Sequence, residues 1–279
     1  MEQWQSRVEG LRFSESKSWA EIAQVMASEF PGLTVSQVRE KCRDYIRGLE
    51  RYKKSGPKLV FSDIHAPFDH PNFPYFLQSV YKSRGCSSAV CLGDLIDSHA
   101  ISNHPVEPCA LGAYTEFDLA AQRLKIYTTL IPEADVIVGN HDLRYVRVAA
   151  EKGLGRRFLK SLSEILELPA GWVIRGDEFI EDDVLYCHGI NCGGKDGALN
   201  KALLERMSTC IGHYHSFGGV KYAANKRDRV FGINVGCGIN EDAYAFAYGK
   251  HAKNRCTLGC GVVYDSEHAE FIPMGREWL

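Results

Sequence analysis

Five short runs in the 279-residue chain combine residue types that bind metal ions or move protons. They are Asp63-Ile64-His65, Gly93-Asp94-Leu95-Ile96-Asp97, Gly139-Asn140-His141-Asp142, His188-Gly189 and Gly212-His213-Tyr214-His215. Carboxylate, amide and imidazole donors suit borderline divalent ions such as Mn, Fe, Zn or Ni, and the runs offer no soft thiolate. A lone Asp-x-His or His-x-His is usually a loop pair satisfied by hydrogen bonds. Five such runs in one chain point instead to metal-assisted chemistry. In extended chain, residues i and i+2 face the same way, so Asp63 and His65 are expected on one face, as are His213 and His215. Ile64 and Tyr214 then turn elsewhere.

Each run follows an apolar stretch of strand composition, namely KLVFS, SAVCL, ADVIV, DVLYC and STCI. The polar residues therefore fall at carboxyl strand ends, where α/β folds place their sites. Strands are expected at 58–62, 88–92, 134–138, 172–175, 184–187, 209–211, 230–234 and 261–264. Helical patterns cover roughly 72–83, 117–130, 143–150, 158–166 and 198–207. The alternation predicts an α/β domain with mixed sheets.

The ordered set, spanning residues 58 to about 273, resembles the signature of the calcineurin-like metallophosphoesterase superfamily, and Asn234-Val235-Gly236-Cys237-Gly238 resembles the turn that commonly follows its last ligand motif. The resemblance implies a four-layer α-β-β-α sandwich holding two divalent metal ions at one edge, Mn first, with Fe, Zn or Ni as alternatives. It implies that Asp94 bridges the ions, that Asp63, His65 and His215 complete one site, and that Asn140, His188 and His213 complete the other. A bridging carboxylate offsets the repulsion between two such ions, and the pair generates a hydroxide nucleophile from water. His141 would assist the leaving group, oriented by Asp97, with Asp142 fixing ligand orientation by hydrogen bonding. Helix N-capping is the competing reading of Asp97 and Asp142. Ser98-His99 stands where Ser/Thr protein phosphatases carry an Arg after the second Asp, which counts against that branch. A nuclease branch of the superfamily often has His at the position of Asp97. Residues 98–116 read as a long loop beside the site, in which His99 and His104 are expected to be solvent-exposed.

Charge divides the chain. Residues 1–58 hold 11 Lys and Arg against 8 Asp and Glu, while 59–279 hold 22 against 27. With the Gly56-Pro57 breaker, this separates a helical unit at 1–54 from the 58–279 domain. Ser18 reads as the N-cap of a helix through Phe30, stopped by Pro31-Gly32, and Thr34 precedes a second helix with Val38, Cys42, Tyr45, Ile46 and Leu49 on one face. Arg39, Arg43, Arg47 and Arg51 recur every four residues on another face. The pair resembles the helix-turn-helix of Myb-like and homeodomain-like modules, which implies nucleic-acid contacts from Arg39, Arg43 and Arg47. Glu40, Asp44 and Glu50 dilute that surface, and a solvated face on a helical cap or an oligomerisation element is the alternative.

A composition of 45% hydrophobic and 24% charged residues excludes disorder and collagen-like repetition, and a net charge of -2 excludes a uniformly basic binder. No stretch approaches the roughly 18 apolar residues of a membrane span, and the first residues lack an apolar signal region, so a cytoplasmic protein without membrane partners is expected. The ten cysteines form no Cys-x-x-Cys pair and read as ordinary thiols. Gly193-Gly194-Lys195-Asp196-Gly197 lacks the phosphate-loop pattern and reads as a connection. Tyr244, Phe246 and Tyr248 alternate with alanines as core residues of a strand would. The expected function is hydrolysis of phosphoesters, first a nuclease or nucleic-acid phosphodiesterase. A phosphomonoesterase, or a cyclic-nucleotide or dinucleoside phosphodiesterase, is the alternative, and a DNA-binding protein with an inactive phosphoesterase domain is the non-enzymatic one. Oligomeric state is not legible.

Overall fold

The computed structural model describes residues 4, 7–8, 10–15, 17–29, 34–39, 41–42, 56–103, 110–226, 228–243 and 255–278. Arg43, Arg47, His104, Tyr244, Phe246 and Tyr248 lie outside these residues, so the expectations placed on them are not addressed. Packing divides the chain into two compact units, Met1–Gly56 and Pro57–Leu279.

In the first unit a π-helical turn, Gly10–Ser14, precedes α1 (Trp19–Glu29), and helix resumes at 35–39 and 41–42. Both helix starts are capped as their sequences dictate. The Ser18 backbone amide donates to Glu21 (2.8 Å) and the Glu21 amide to the Ser18 hydroxyl (3.4 Å), while Thr34 and Gln37 make the same reciprocal pair at 3.0 and 3.3 Å. Val8, Leu11, Ile22, Met26, Val38 and Cys42 form one small core. The contribution of Val8 and Leu11 was not legible in the sequence, because too few apolar residues precede Ser18 to show a period.

The second unit contains β1 (Lys58–Phe61), α2 (Phe73–Ser83), β2 (Ser88–Cys91), α3 (Ala113–Leu130), β3 (Ala134–Ile137) and α4 (Arg144–Glu151). It continues with α5 (Leu162–Ile165), β4 (Trp172–Gly176), β5 (Glu178–Glu181), β6 (Val184–Cys187), α6 (Gly197–Glu205) and β7 (Ser208–Ile211), then β8 (Gly218–Ala224), β9 (Arg229–Val235), β10 (Gly259–Asp265) and β11 (His268–Pro273). One sheet runs β11-β10-β1-β2-β3-β4 and the other β5-β6-β7-β9-β8. Side chains alternate across the first sheet as the pleat requires. Leu59, Phe61, Ala89 and Cys91 pack with Phe73, Leu77, Leu124 and Leu162 of the helices, whereas Val60, Val90 and Leu92 meet Tyr186, Cys210 and Phe231 of the second sheet. Helix α6 covers the far face of the second sheet through Ala198 against Cys187 and Ile211. The layers are therefore α-β-β-α, as the resemblance implied.

Three strands were not anticipated: β5, β8 and β11. All three are sheet edges. An edge strand buries little and carries polar residues that blunt further pairing, so EFIE, GGVKYAA and HAEFIP lack the apolar run of a central strand. The helix expected over 158–166 is broken. Arg156–Phe158 is a 3-10 turn, and α5 restarts under a reciprocal cap in which the Ser161 amide donates to Glu164 at 2.8 Å. The loop expected over 98–116 is shorter, since α3 begins at Ala113 and buried Glu116 accepts the backbone amides of His99 (2.6 Å) and Ala100 (2.7 Å). His99 is correspondingly buried, not solvent-exposed, in a 3-10 turn over His99–Ile101 and with its ring beside Phe68. Among the described residues no helix is long and apolar enough to cross a membrane.

Candidate metal centre

The parallel strands β1, β2 and β3 end side by side, and the loops leaving them are tied to each other by backbone hydrogen bonds. Asp63 donates its amide to Gly93 O (3.0 Å), His65 to Asp94 O (2.9 Å) and Ala66 to Leu95 O (2.9 Å). Gly238, in the turn after β9, donates to Asp63 O at 3.0 Å, and within that turn the Gly236 amide donates to Asn234 Oδ1 at 3.0 Å. The pleat is not what aligns the donors. Asp63, His65, Asp94 and His213 all adopt left-handed φ, between 50° and 65°. The expectation of an extended Asp-x-His and His-x-His is corrected accordingly: tight turns aim these side chains. Such conformations cost on the order of 1–3 kcal/mol each and persist where surrounding contacts impose them. Ile64 does point away, into the core.

Four groups of donor atoms result among the described residues, two of which hold expected ligands alone. Those of Asp63, His65 and His215 lie within 4.8 Å of one another, and so do those of Asp94, His188 and His213. Asp94 connects these two groups, because its Oδ2 is 3.1 Å from His188 Nε2 and 3.7 Å from His65 Nε2. Asp63 Oδ1 lies 3.0 Å from His215 Nε2 and 3.7 Å from His65 Nε2. Asn140 Oδ1 is 3.1 Å from His188 Nε2, and His213 Nδ1 is also 3.1 Å from it. All seven expected ligand residues are thus brought together.

The other atoms of these side chains are anchored. His188 Nδ1 donates to Leu92 O (2.8 Å) and His65 Nδ1 to Asp97 Oδ1 (2.6 Å), which leaves both Nε2 atoms facing the shared space. The amides of His213 and His141 donate to Asp63 and Asp94, each at 2.8 Å. Asp142 accepts the amides of Gly139 (2.9 Å) and Ile96 (3.2 Å), binding two ligand loops together. Neither Asp97 nor Asp142 caps a helix: the residue before α4 is Leu143. Gly139 is obligatory, since a Cβ there would strike the Asp94 carboxylate and amide.

Burying carboxylates costs several kcal/mol per ion unless cations answer them. Burial pushes Asp63 and Asp94 up, but the imidazoles of His215 and His188 outweigh it, and both carboxyls fall below the usual range. Asp97 also falls, with His141 and His65 overcoming its burial. The imidazoles answer in kind. Burial opposes their charge, yet Asp63 and Asp97 raise His65 to about 9, Asp94 raises His188 to about 9 and Asp63 raises His215 to about 10. Burial and the charge of Asp94 lift Asp142 to about 7. The donor set thus demands positive charge at two adjoining places, which two divalent ions fit.

His141 differs from the other imidazoles. Its Nδ1 lies 2.8 Å from Asp97 O and 3.2 Å from Asp97 Oδ1, while Arg144 Nη2 donates to its Nε2 at 2.9 Å. A guanidinium only donates and a carbonyl only accepts, so the neutral Nδ1–H tautomer satisfies both contacts. Burial and the nearby charge of His65 lower its pKa, in keeping with that form. Arg144, which also donates to Asp97 O at 2.9 Å, was not singled out from the sequence. Its signal was an Arg three residues after His141 at a helix start, where i and i+3 share a face. Cys256 was missed too. It lies with Cys237 beside His215, and its thiol falls to about 6, chiefly through its hydrogen bond from Cys237. No spacing motif announced this cluster. An open cavity of about 260 Å³ adjoins the centre, walled by Gly139, Leu143, Glu178, His188, Ile190 and Lys201. Of the residues expected to contact nucleic acid, Arg39 is exposed on its helix.

The chain matches no model of a protein family and no curated protein. Among solved structures it is similar to Vps29 of Chaetomium thermophilum, with 11% identity over 79% of this chain and 97% of that one and a TM-score of 0.38. It is similar to YfcE, a phosphoesterase from E. coli, at 13% identity over 78% and 100% with a TM-score of 0.38. The Pseudomonas putida nuclease MPE aligns at 11% identity over 80% and 89% with a TM-score of 0.32.

Proposed function

We propose that this protein is a dinuclear-metal phosphoesterase that hydrolyses phosphodiester bonds of nucleic acid. The observation that carries the reading is the pair of donor groups sharing Asp94 at the carboxyl edge of the first sheet. Asp63, His65 and His215 with Asp94 would hold one divalent ion, and Asn140, His188 and His213 with Asp94 the other. When bound, such a pair polarises phosphoryl oxygens and lowers the pKa of water to near neutrality. The chain's own residues do the rest. Asp97 and Leu92 O fix the tautomers of His65 and His188, and Asp142 holds the loops carrying Asp94 and Asn140 in register. His141, its Nδ1–H held by Asp97 O, keeps Nε2 unprotonated at rest, so Nε2 would take up a proton before passing it to the leaving oxygen, and Arg144, which donates to that Nε2, places a permanent cation beside it.

A chain stripped of its function would be expected to have lost at least one ligand, and none of the seven is missing. The choice of a nucleic-acid substrate is supported by the +3 charge of residues 1–58 and the exposed Arg39. The test is hydrolysis with Mn of bis-p-nitrophenyl phosphate, p-nitrophenyl phosphate, single- and double-stranded DNA, and RNA. Metal-dependent cleavage of the diester and of a polynucleotide is expected, abolished by EDTA. Hydrolysis confined to the monoester rejects the nuclease reading, and no hydrolysis with any divalent metal rejects the enzyme.

A further inference from the structure

We infer that residues 144–160 form a track for a single nucleic-acid strand leading away from the metal centre, an inference that rests on the phosphodiesterase reading. The segment holds Arg144, Arg147, Lys152, Arg156, Arg157 and Lys160 against the single acid Glu151, in a chain whose net charge is -2. Several described surface cations elsewhere are neutralised, Arg84 by Glu270 at 2.8 Å, Lys125 by Glu167 at 2.8 Å and Lys201 by Glu205 at 2.7 Å, whereas others such as Lys82, Lys195 and Arg206 stand singly without a carboxylate partner among the described residues. In the track only Arg147 has such a partner, Glu151 at 3.6 Å. Among the described residues none of Lys152, Arg156, Arg157 and Lys160 is within ion-pair distance of a carboxylate. Unneutralised cations in a row are the electrostatic footprint of a polyanion.

The backbone holds this row in place. Helix α4 buries none of its residues, and its end is closed by the amides of Gly153 and Leu154 donating to Ala150 O and Ala149 O, each at 2.9 Å. The 3-10 turn Arg156–Phe158 is closed by Phe158 N to Gly155 O (3.0 Å), and Tyr145 Oη reaches Lys160 O (3.3 Å). Residues 150–158 are all exposed, and Phe158, 73% accessible, sits beside Arg156 and Arg157. An exposed ring flanked by free cations is a stacking platform for an unpaired base, which a duplex does not offer. The near end of the track is fixed by Arg144 on His141, and the eight residues of α4 carry it about 12 Å from there at 1.5 Å per residue. A basic segment with exposed Leu154 and Phe158 would also suit an anionic membrane surface. The continuity with the metal centre favours the strand.

The test uses the full-length chain, its R156A/R157A/K160A triple variant and F158A. Binding of single-stranded DNA and RNA oligonucleotides is read by fluorescence anisotropy in EDTA across a salt series, and Mn-dependent hydrolysis is read on the same oligonucleotides and on bis-p-nitrophenyl phosphate. The triple variant should flatten the log–log salt slope by up to about 2 units, at about 0.7 per lost phosphate contact, and raise KM for the strands with diester turnover unchanged. F158A should weaken binding about 5- to 150-fold at fixed salt with the slope intact, and should weaken duplex binding less. Equal losses on DNA and RNA identify the shared phosphate-and-base chemistry, and a loss on one alone names the strand type. Unchanged affinity and slope in both variants overturn the track, as does loss of binding to phosphatidylserine vesicles with oligonucleotide binding intact. If the wild type hydrolyses no diester, the enzymatic reading fails while the binding measurements still decide the track.

Discussion

The loops of the metal centre and the surface at 144–160 lie next to each other in the chain yet are built on opposite principles. In the loops, four candidate ligand residues sit in left-handed backbone, and every carboxylate there is hydrogen-bonded. In the 144–160 segment, no residue of α4 is fully buried, and five of the six cations lack a carboxylate partner among the described residues. Coordination of two ions, as proposed, would tolerate little displacement, and the strained loops meet that demand. Attraction of a polyanion depends on charge left uncompensated, and a rigid partner would defeat it. Arg144 belongs to both, since its guanidinium contacts His141 while its backbone opens α4.

The sharpest way to break this contrast is Asp94→Asn. Loss of the shared carboxylate should cut diesterase turnover roughly 10³-fold, several kcal/mol of transition-state stabilisation, while circular dichroism stays unchanged. Unaltered turnover would remove Asp94 from the mechanism. The second test uses pH. His65, His188 and His215 hold protons up to about 9, 9 and 10 in the metal-free protein, and those protons must leave before metal binds. Raising pH from 7 to 9 therefore tightens Mn binding, by about tenfold per pH unit for each proton displaced. Titration calorimetry in buffers of different ionisation enthalpy should register the released protons, and a pH-independent Kd would contradict the charge balance described. Gly139→Ala comes next. Its methyl group displaces Asp94, and a loss of Mn affinity of about 10- to 100-fold is expected by dialysis, against no change for a control such as Gly153→Ala outside the centre. Smallest is Arg39→Ala in the first unit, which should flatten the salt dependence of duplex binding by about 0.9 of a log–log unit and leave diester hydrolysis untouched. An unchanged slope would make Arg39 a solvated surface residue.

The candidate ligand residues stood out because their types are costly to bury and they recur after apolar strand segments, and that order survives whatever the turns do. How they converge was not legible. Asp63 and His65 were expected to share a face by strand alternation, but their positive φ comes from backbone contacts with Gly93, Asp94 and Gly238, residues up to 175 positions away. The central strands announced themselves by apolar runs, whereas β5, β8 and β11 were hidden by the polarity that edges require. His99 was read as exposed because no local pattern reveals that Glu116 accepts its amide. Cys256 looked ordinary because its neighbours Cys237 and His215 are distant in the chain.

By itself, then, the amino-acid order determined the local features: seven residues of ligand type, their places after successive strands, the capped helices of the first unit and the α/β class of the second. These depend on residue type and on spacing of a few positions, which local physics reads directly. Only the tertiary structure decided that Asp94 stands between two donor groups, that Arg144 meets His141, that a thiol adjoins His215 and that Lys152, Arg156, Arg157 and Lys160 have no carboxylate within ion-pair distance among the described residues. Each of these depends on distances between residues remote in sequence or on which charges a neighbour neutralises. Packing sets both, and no local pattern encodes them.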